Sequence, residues 1–410
     1  MAHIRKRHIE KHIEKLLSFS PIVGILGHRQ VGKTTTLEDI AASYVTMDTK
    51  SEAESAASDP DGFVDRFSSF PCGIDECQLA PALFPALKDR VRRVKRPGQF
   101  LLTGSVRFTS RKAIQESLTG RIINVEMHPL MVSELIETSE PRVASFLLDS
   151  SHVDLDKLAS RFKITAQQIT RASKALLATQ TSGSLPGVCF VRDSAIRAQK
   201  FESQIETILT RDLRLLIETT LSLESLRRVL SMLALQQGQP LELADLSRKA
   251  RISIPALRRL IDAFEALFLI WRVPCVGGEK RPSLYLEDCG EAYHLTDSRI
   301  DQSTMWVSVV ATQLRSIFDI PLSGADGAIA RLSQFRTRGG VYVPLVVSRK
   351  DRHLGVIPIL EARPTPAELG SARSLLKALP KSRVVFVTMG GGSRLISANM
   401  LSIPGGLMML

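Results

Sequence analysis

The stretch "PIVGILGHRQVGKTTTLEDI", residues 21–40, constrains this chain more than any other. An apolar strand, Pro21 to Leu26, runs into Gly27-His28-Arg29-Gln30-Val31-Gly32-Lys33-Thr34, which fits G-x-x-x-x-G-K-[ST] at every fixed position. Glycines let the backbone curl so that successive N–H groups point inward at phosphate oxygens. Lys33 adds a point charge for the β- and γ-phosphates, and the Thr34 hydroxyl is placed to ligand Mg²⁺. The following "KTTTLEDIAASYV" reads as a helix whose N-terminal dipole faces the same phosphates. Gly27, Gln30, Val31, Gly32, Lys33, Thr34 and Thr35 are therefore the expected nucleotide contacts.

Further segments supply what a phosphate cradle lacks. In "FPCGIDECQLAP" (residues 70–81) an apolar run ends in two carboxylates. Asp75 is assigned to the metal and Glu76 to the attacking water. "GQFLLTGS" (98–105) is a second apolar strand, and Ser105 at its end can touch the γ-phosphate or the water. In "ESLTGRIINVEM" (116–127), Arg121 opens the next strand. Its guanidinium can serve a neighbouring subunit as an arginine finger, or be one surface arginine among many.

"GHRQVGKTTTL", "IDECQLAPALFPALK", "PGQFLLTGS" and "ESLTGRI" together resemble the AAA-type (AAA+ superfamily) predicted ATPases of bacteria and archaea, whose members carry a C-terminal domain of unknown function. "GSLPGV", "ILTRDLRLL" and "ALRRLIDAFEALFLIWRVPC" extend the likeness to about residue 300. His28 is a departure, because the family usually has a P-R-Q-like tripeptide after the first glycine. The resemblance implies ATP and Mg²⁺ as cofactors, ATP hydrolysis, and Pro186 as an adenine contact. It also implies a C-terminal domain of restriction-endonuclease-like fold, and its neighbours hint at defence or mobile-element biology.

Residues 21–127 alternate strand and helix, which predicts a parallel sheet covered on both faces. The expected organisation is an ATPase core with an N-terminal helix over 1–135, a helical lid or insertion with a connecting helix over 136–222, a winged helix over 223–290, and a degenerate nuclease-like α/β domain over 291–410. In the N-terminal helix, Ile4, Ile9, Ile13, Leu16 and Leu17 form one stripe. Residues 196–217 read as one long helix able to carry subunit contacts in a homo-oligomer. In the winged helix, Leu257, Leu260, Ile261 and Phe264 form the buried stripe of a third helix capped by Ser253. Arg258 and Arg259 point away from that stripe and, with Arg251, can meet phosphates or base edges.

For the last domain the resemblance implies a nuclease centre with an acidic residue on one strand and E-x-K on the next, carboxylates to hold Mg²⁺ and a lysine to help the water. Pro344 stands near the first position and Glu361-Ala362-Arg363 at the second. Arginine is a poor base, so the centre reads as dismantled and the domain as a structural or recognition module for a protein partner.

The net charge of +12 bears on partners. Arg92, Arg93 and Lys95 lie in a basic cluster over residues 88–96, which suits a phosphate backbone or, equally, a solvated helix face. The five scattered cysteines form no C-x-x-C pair, and no apolar run reaches membrane-span length. A cytoplasmic protein that does not enter a membrane is expected.

Overall fold

The computed structural model describes residues 4–108, 118–278, 281–320 and 329–410. The first sheet contains β1 (Ile22–Leu26), β2 (Ser43–Thr46), β3 (Cys72–Asp75), β4 (Phe100–Gly104) and β5 (Ile122–Glu126). All are parallel, in the order β2-β3-β4-β1-β5. β1, β3 and β4 are buried along their whole length, as strands covered by helices on both faces must be. β4 lies between β1 and β3, so the chain segments leaving these strands emerge side by side at one sheet edge. The helix expected between "FLLTG" and "RIINVEM" falls mainly on residues 109–117, outside the described residues.

The N-terminal helix spans Glu10–Leu17, with Ile9, Ile13 and Leu17 buried. Ile4 does not join that stripe; it lies before the helix begins and is 68% exposed. The expected long helix over 196–217 also differs. Helix Ser194–Thr207 passes into a π-turn over Ile208–Asp212 and a 3₁₀ turn over Leu213–Leu215. A π-turn re-aims the side chains that follow it, and here Asp212 is turned into the interior.

Helices Leu223–Leu235, Leu243–Ala250 and Ile254–Ala266 precede the antiparallel pair β6 (Ile270–Val273) and β8 (Ser283–Leu286). Leu257, Leu260, Ile261 and Phe264 are buried in a core of their own, and the Ser253 side chain accepts from the Ala256 N–H. Arg251, Arg258 and Arg259 are exposed.

Between β6 and β8, the strand β7 (Cys275–Gly277) leaves this unit and pairs in parallel with β9 (Arg331–Arg336). β9 opens a second, mixed sheet with β10 (Tyr342–Arg349), β11 (Arg352–Ile359), β12 (Ser382–Thr388), β13 (Arg394–Ser397) and β14 (Met400–Pro404). Pro344 sits inside β10, where the pairing with β9 shifts register between Val343 and Val346. Proline has no N–H for the ladder, and a bulge absorbs the loss. β11 ends at Ile359, so Glu361 and Arg363 fall in an exposed bend beyond it. Neither lies on a strand, and no ion pair joins them among the described residues.

The segment read as a lid or insertion covers this second sheet. Arg383 of β12 donates to the carbonyls of Leu147 (2.6 Å) and Ser150 (3.0 Å) at the end of helix Val143–Asp149. Helix Ala166–Ser182 lies against Gly405 and Gly406 so closely that a Cβ on Gly406 would stand 2.5 Å from the Ile169 carbonyl oxygen. One apolar cluster consequently runs from Ile13 and Val23 through Leu176 and Trp306 to Leu401 and Leu410. Among the described residues no helix is long and apolar enough to cross a membrane.

Candidate functional site

The loop after β1 wraps the start of helix Lys33–Ile40. Gln30 (φ 59°) and Gly32 (φ 102°) take left-handed backbone, which turns successive N–H groups toward one concavity. A Cβ on Gly27 would lie 2.4 Å from the Met127 carbonyl oxygen, so only glycine fits at that position. Lys33 is buried and its Nζ donates to the carbonyls of Gly27 and His28, both at 2.9 Å. Burial lowers the Lys33 pKa, against the opposing pull of Glu76 and Asp75.

Parallel pairing of β3 with β4 sets Cys72 beside Phe100. The same register carries Asp75 to Thr103, whose hydroxyl donates to Asp75 Oδ1. On the other side, Asp75 Oδ2 accepts from Thr34 Oγ1 at 2.9 Å and from the Tyr44 hydroxyl at 3.2 Å. Burial and Asp75 push the Tyr44 pKa up to about 12, which keeps it a neutral donor. Glu76 follows in left-handed backbone (φ 51°), with its N–H donating to Thr103 Oγ1 at 3.0 Å. The Gln78 amide and the Ser105 hydroxyl (3.3 Å) both donate to Glu76 Oε2, and Gln78 Nε2 lies 3.1 Å from Ser105 Oγ. Thr34 and Asp75 together form a hard-oxygen donor set of the kind Mg²⁺ takes.

Gly32, Lys33, Thr34 and Glu76 line a cleft of about 640 Å³ that also contains Gln30, Thr35 and Pro186, while Asp75 and Ser105 are buried behind it. Its far end is walled by Phe190, over which the Arg5 guanidinium stacks at 4.9 Å. Val31 is buried beneath the loop and does not line the cleft. Arg121 lies elsewhere. It precedes β5, whose Ile122 pairs with Ile22 at the start of β1, about 13 Å along the strands from the loop. The structure does not bring Arg121 to this chain's own cleft.

The basic cluster is partly neutralised. Arg93 pairs with both Asp65 and Asp89, Arg90 with Asp65, and Arg92 with Asp89, while Lys95 is exposed. Asp89 lies within the cluster, whereas Asp65 is brought to it by folding, from helix Pro60–Asp65.

The sequence reading missed the groups that hold the loop from outside. Arg29 pairs with Asp212, Nη2 donating to Oδ1 at 3.1 Å. Arg7 donates to the carbonyls of Val31 (2.8 Å) and His128 (2.6 Å). His28 Nε2 lies 3.3 Å from Glu291 Oε2, with both side chains fully buried. Farther out, His128 bridges Glu287 and Asp319 at 2.9 Å each, and Arg315 pairs with Glu126, Glu287 and Asp319. Glu126, His128 and Glu287 could geometrically share a metal ion, but the Arg315 guanidinium already supplies their counter-charge.

Residues 19–136 match the family model described as "AAA domain". Residues 178–302 match a domain of unknown function. An uncharacterized protein of Mycobacterium tuberculosis is 26% identical over 418 aligned residues, covering 98% of this chain and 84% of the relative. An uncharacterized protein of Mycobacterium bovis matches to the same extent. Among solved structures, the Walker-type ATPase of Pyrococcus abyssi covers 71% of this chain and 96% of its own at 15% identity and a TM-score of 0.41. A DNA replication initiation factor covers 63% of this chain and 85% of its own at 13% identity and a TM-score of 0.25. The first sheet and its loop therefore lie within the segment that matches the AAA domain, and the loop has the form of a nucleotide-binding P-loop.

Proposed function

We propose that the chain is a Mg²⁺-dependent ATPase of AAA type whose nucleotide state sets the arrangement of its downstream units. The observation that carries this reading is the meeting of the Thr34 hydroxyl and the Asp75 carboxylate at 2.9 Å, with Glu76 the next residue at the cleft. The loop N–H groups and Lys33 would bind the phosphates, and Thr34 and Asp75 would hold Mg²⁺. Glu76 would take a proton from the attacking water, oriented by Ser105. Bound Mg²⁺ supplies neutralisation of the phosphate charge. Pro186 is proposed as a base contact and Arg121 as a group offered to a neighbouring subunit. The three helices with β6 and β8 are proposed as a winged helix, contacting nucleic acid through Arg251, Arg258 and Arg259. The C-terminal sheet is proposed as a recognition module for a protein partner, and the protein as cytoplasmic. The test is Mg²⁺-ATP binding and hydrolysis by the full chain and by Lys33→Ala, which should lose binding. Equal binding by wild type and variant would overturn the reading.

A second reading, a nucleotide-switched regulator with little turnover, is favoured by the engagement of Glu76 with Gln78 and Ser105. If that contact holds Glu76 back, Gln78→Ala should raise turnover; a fall would return the contact to an orienting role.

A further inference from the structure

One of the buried contacts that hold the phosphate loop ties it to the chain beyond β8. His28 lies between Gly27 and Arg29 in the loop itself. Its side chain and its backbone do different things. The carbonyl accepts from Lys33 Nζ at 2.9 Å. The ring lies with Nδ1 2.8 Å from the Arg29 carbonyl and 3.3 Å from the Gln204 amide, while Nε2 faces Glu291 at 3.3 Å.

Glu291 is fully buried, and neither of its carboxylate oxygens makes a hydrogen bond. A buried carboxylate is costly without a counter-charge, and the His28 ring is the group placed to supply it. Burial alone would lower the His28 pKa, but Glu291 raises it and the net direction is upward, which favours the cation. Glu291 is itself fixed. It sits in the first turn of helix Cys289–Leu295, where its N–H donates to the capping Asp288 at 3.0 Å. Asp288 also accepts from the Ser184 N–H at 2.6 Å, two residues before Pro186. The helix follows directly on β8 and leads into helix Gln302–Asp319 of the C-terminal region.

We infer that Glu291 is a positioning residue for the phosphate loop, acting through His28 to set the carbonyl that holds Lys33, so that bound phosphates are felt at helix Cys289–Leu295. The inference rests on the proposed nucleotide-binding role. It differs from that role in placing a determinant of affinity about 260 residues from the loop in sequence, on an element that lines no part of the cleft.

The test compares Mg²⁺-ATP affinity of the full chain as wild type, His28→Gln, Glu291→Gln and the double variant, with thermal stability measured alongside. Each single variant should weaken binding by about five- to tenfold, as expected for loss of one charge-assisted contact. The double variant should be no weaker than either single, because both remove the same contact. A merely structural role would lower stability without this non-additive loss of affinity. Hydrogen exchange of Cys289–Leu295 in the wild type supplies an arm that needs no variant: Mg²⁺-ATP should slow it. Wild-type affinity in both single variants, losses that multiply in the double, or unchanged exchange at that helix would overturn the inference. Failure of the wild type itself to bind Mg²⁺-ATP would overturn the functional reading and this inference with it. Binding that is lost in Lys33→Ala but untouched by Glu291→Gln would overturn the inference alone.

Discussion

The Thr34 hydroxyl donates to the Asp75 carboxylate across 2.9 Å, joining the loop after β1 to the end of β3. The two residues are 41 positions apart and meet because β1 and β3 both run parallel to the β4 strand between them, which leaves their carboxyl ends at one edge. If both hold Mg²⁺ as proposed, the two should fail together. Asp75→Asn and Thr34→Ala should each raise the Mg²⁺ concentration needed for half-maximal hydrolysis by about tenfold or more. Metal-free ATP binding should change little. A Mg²⁺ titration of hydrolysis checks this, and unchanged midpoints would remove both residues from the metal site.

Nucleic-acid binding, if electrostatic, should fall steeply with salt. Reversing the charges of Arg258 and Arg259 should weaken it more than reversing those of Arg92, Arg93 and Lys95. The first pair is exposed, while Arg92 and Arg93 are already paired with Asp89 and Asp65. Gel-shift titrations at two salt concentrations decide. An equal or opposite ranking would move the interface to the 88–96 cluster, and no binding even at low salt would leave the positive charge to another role.

The His128 network predicts a pH window for stability. Burial and Arg315 pull the His128 pKa down, but hydrogen bonds to Asp319 and Glu287 outweigh them and lift it to about 9, from 6.5. Its contribution is therefore complete below pH 6.5 and disappears as pH rises through 9, on the order of 3 kcal/mol in all. Glu287 is opposed by burial but held down by Arg315 and His128 to about 2, so its contribution is complete above pH 4.5 and disappears as pH falls through 2. Melting curves should show His128→Gln destabilised most between pH 4.5 and 6.5 and converging on wild type above pH 9. A constant difference across that range would mean the ring is not charged.

The C-terminal sheet should leave plasmid and linear DNA intact in Mg²⁺ and in Mn²⁺. Pro344 occupies a bulge in β10, and Glu361 lies in an exposed bend beyond β11. Metal-dependent nicking that disappears in Glu361→Ala would restore a nuclease reading.

Much of the fold is legible in the sequence where a local rule decides it. The glycine-lysine loop after an apolar strand, the strand ending at Asp75, and the stripe Leu257–Leu260–Ile261–Phe264 each follow from spacing alone. What periodicity does not give is the surface a stripe is buried against. Helices Val143–Asp149 and Ala166–Ser182 fall in the segment read only as a lid or insertion, because their partners, β12 and Gly405–Gly406, lie more than 200 residues downstream. Helix Lys50–Ser58 escaped notice because only Ala56 on it is buried, leaving no stripe to read. Ile4 misled because it keeps helical spacing before the helix has begun. Thr103, Gln78 and Tyr44 were accessible in part: strand adjacency would have set Thr103 beside Asp75, whereas the reading chose Ser105 alone. The contacts of His28 with Glu291 and of Arg29 with Asp212 had no local signal. The second depends on a π-turn in what reads as a continuous helix.

The central claim is that Glu76 acts on the water and Lys33 on the bound phosphates, and one measurement separates them. Glu76→Gln should bind Mg²⁺-ATP with wild-type affinity and lose about a hundredfold or more in steady-state turnover, the range for removal of a general base. Hydrolysis by Glu76→Gln at the wild-type rate would contradict the account.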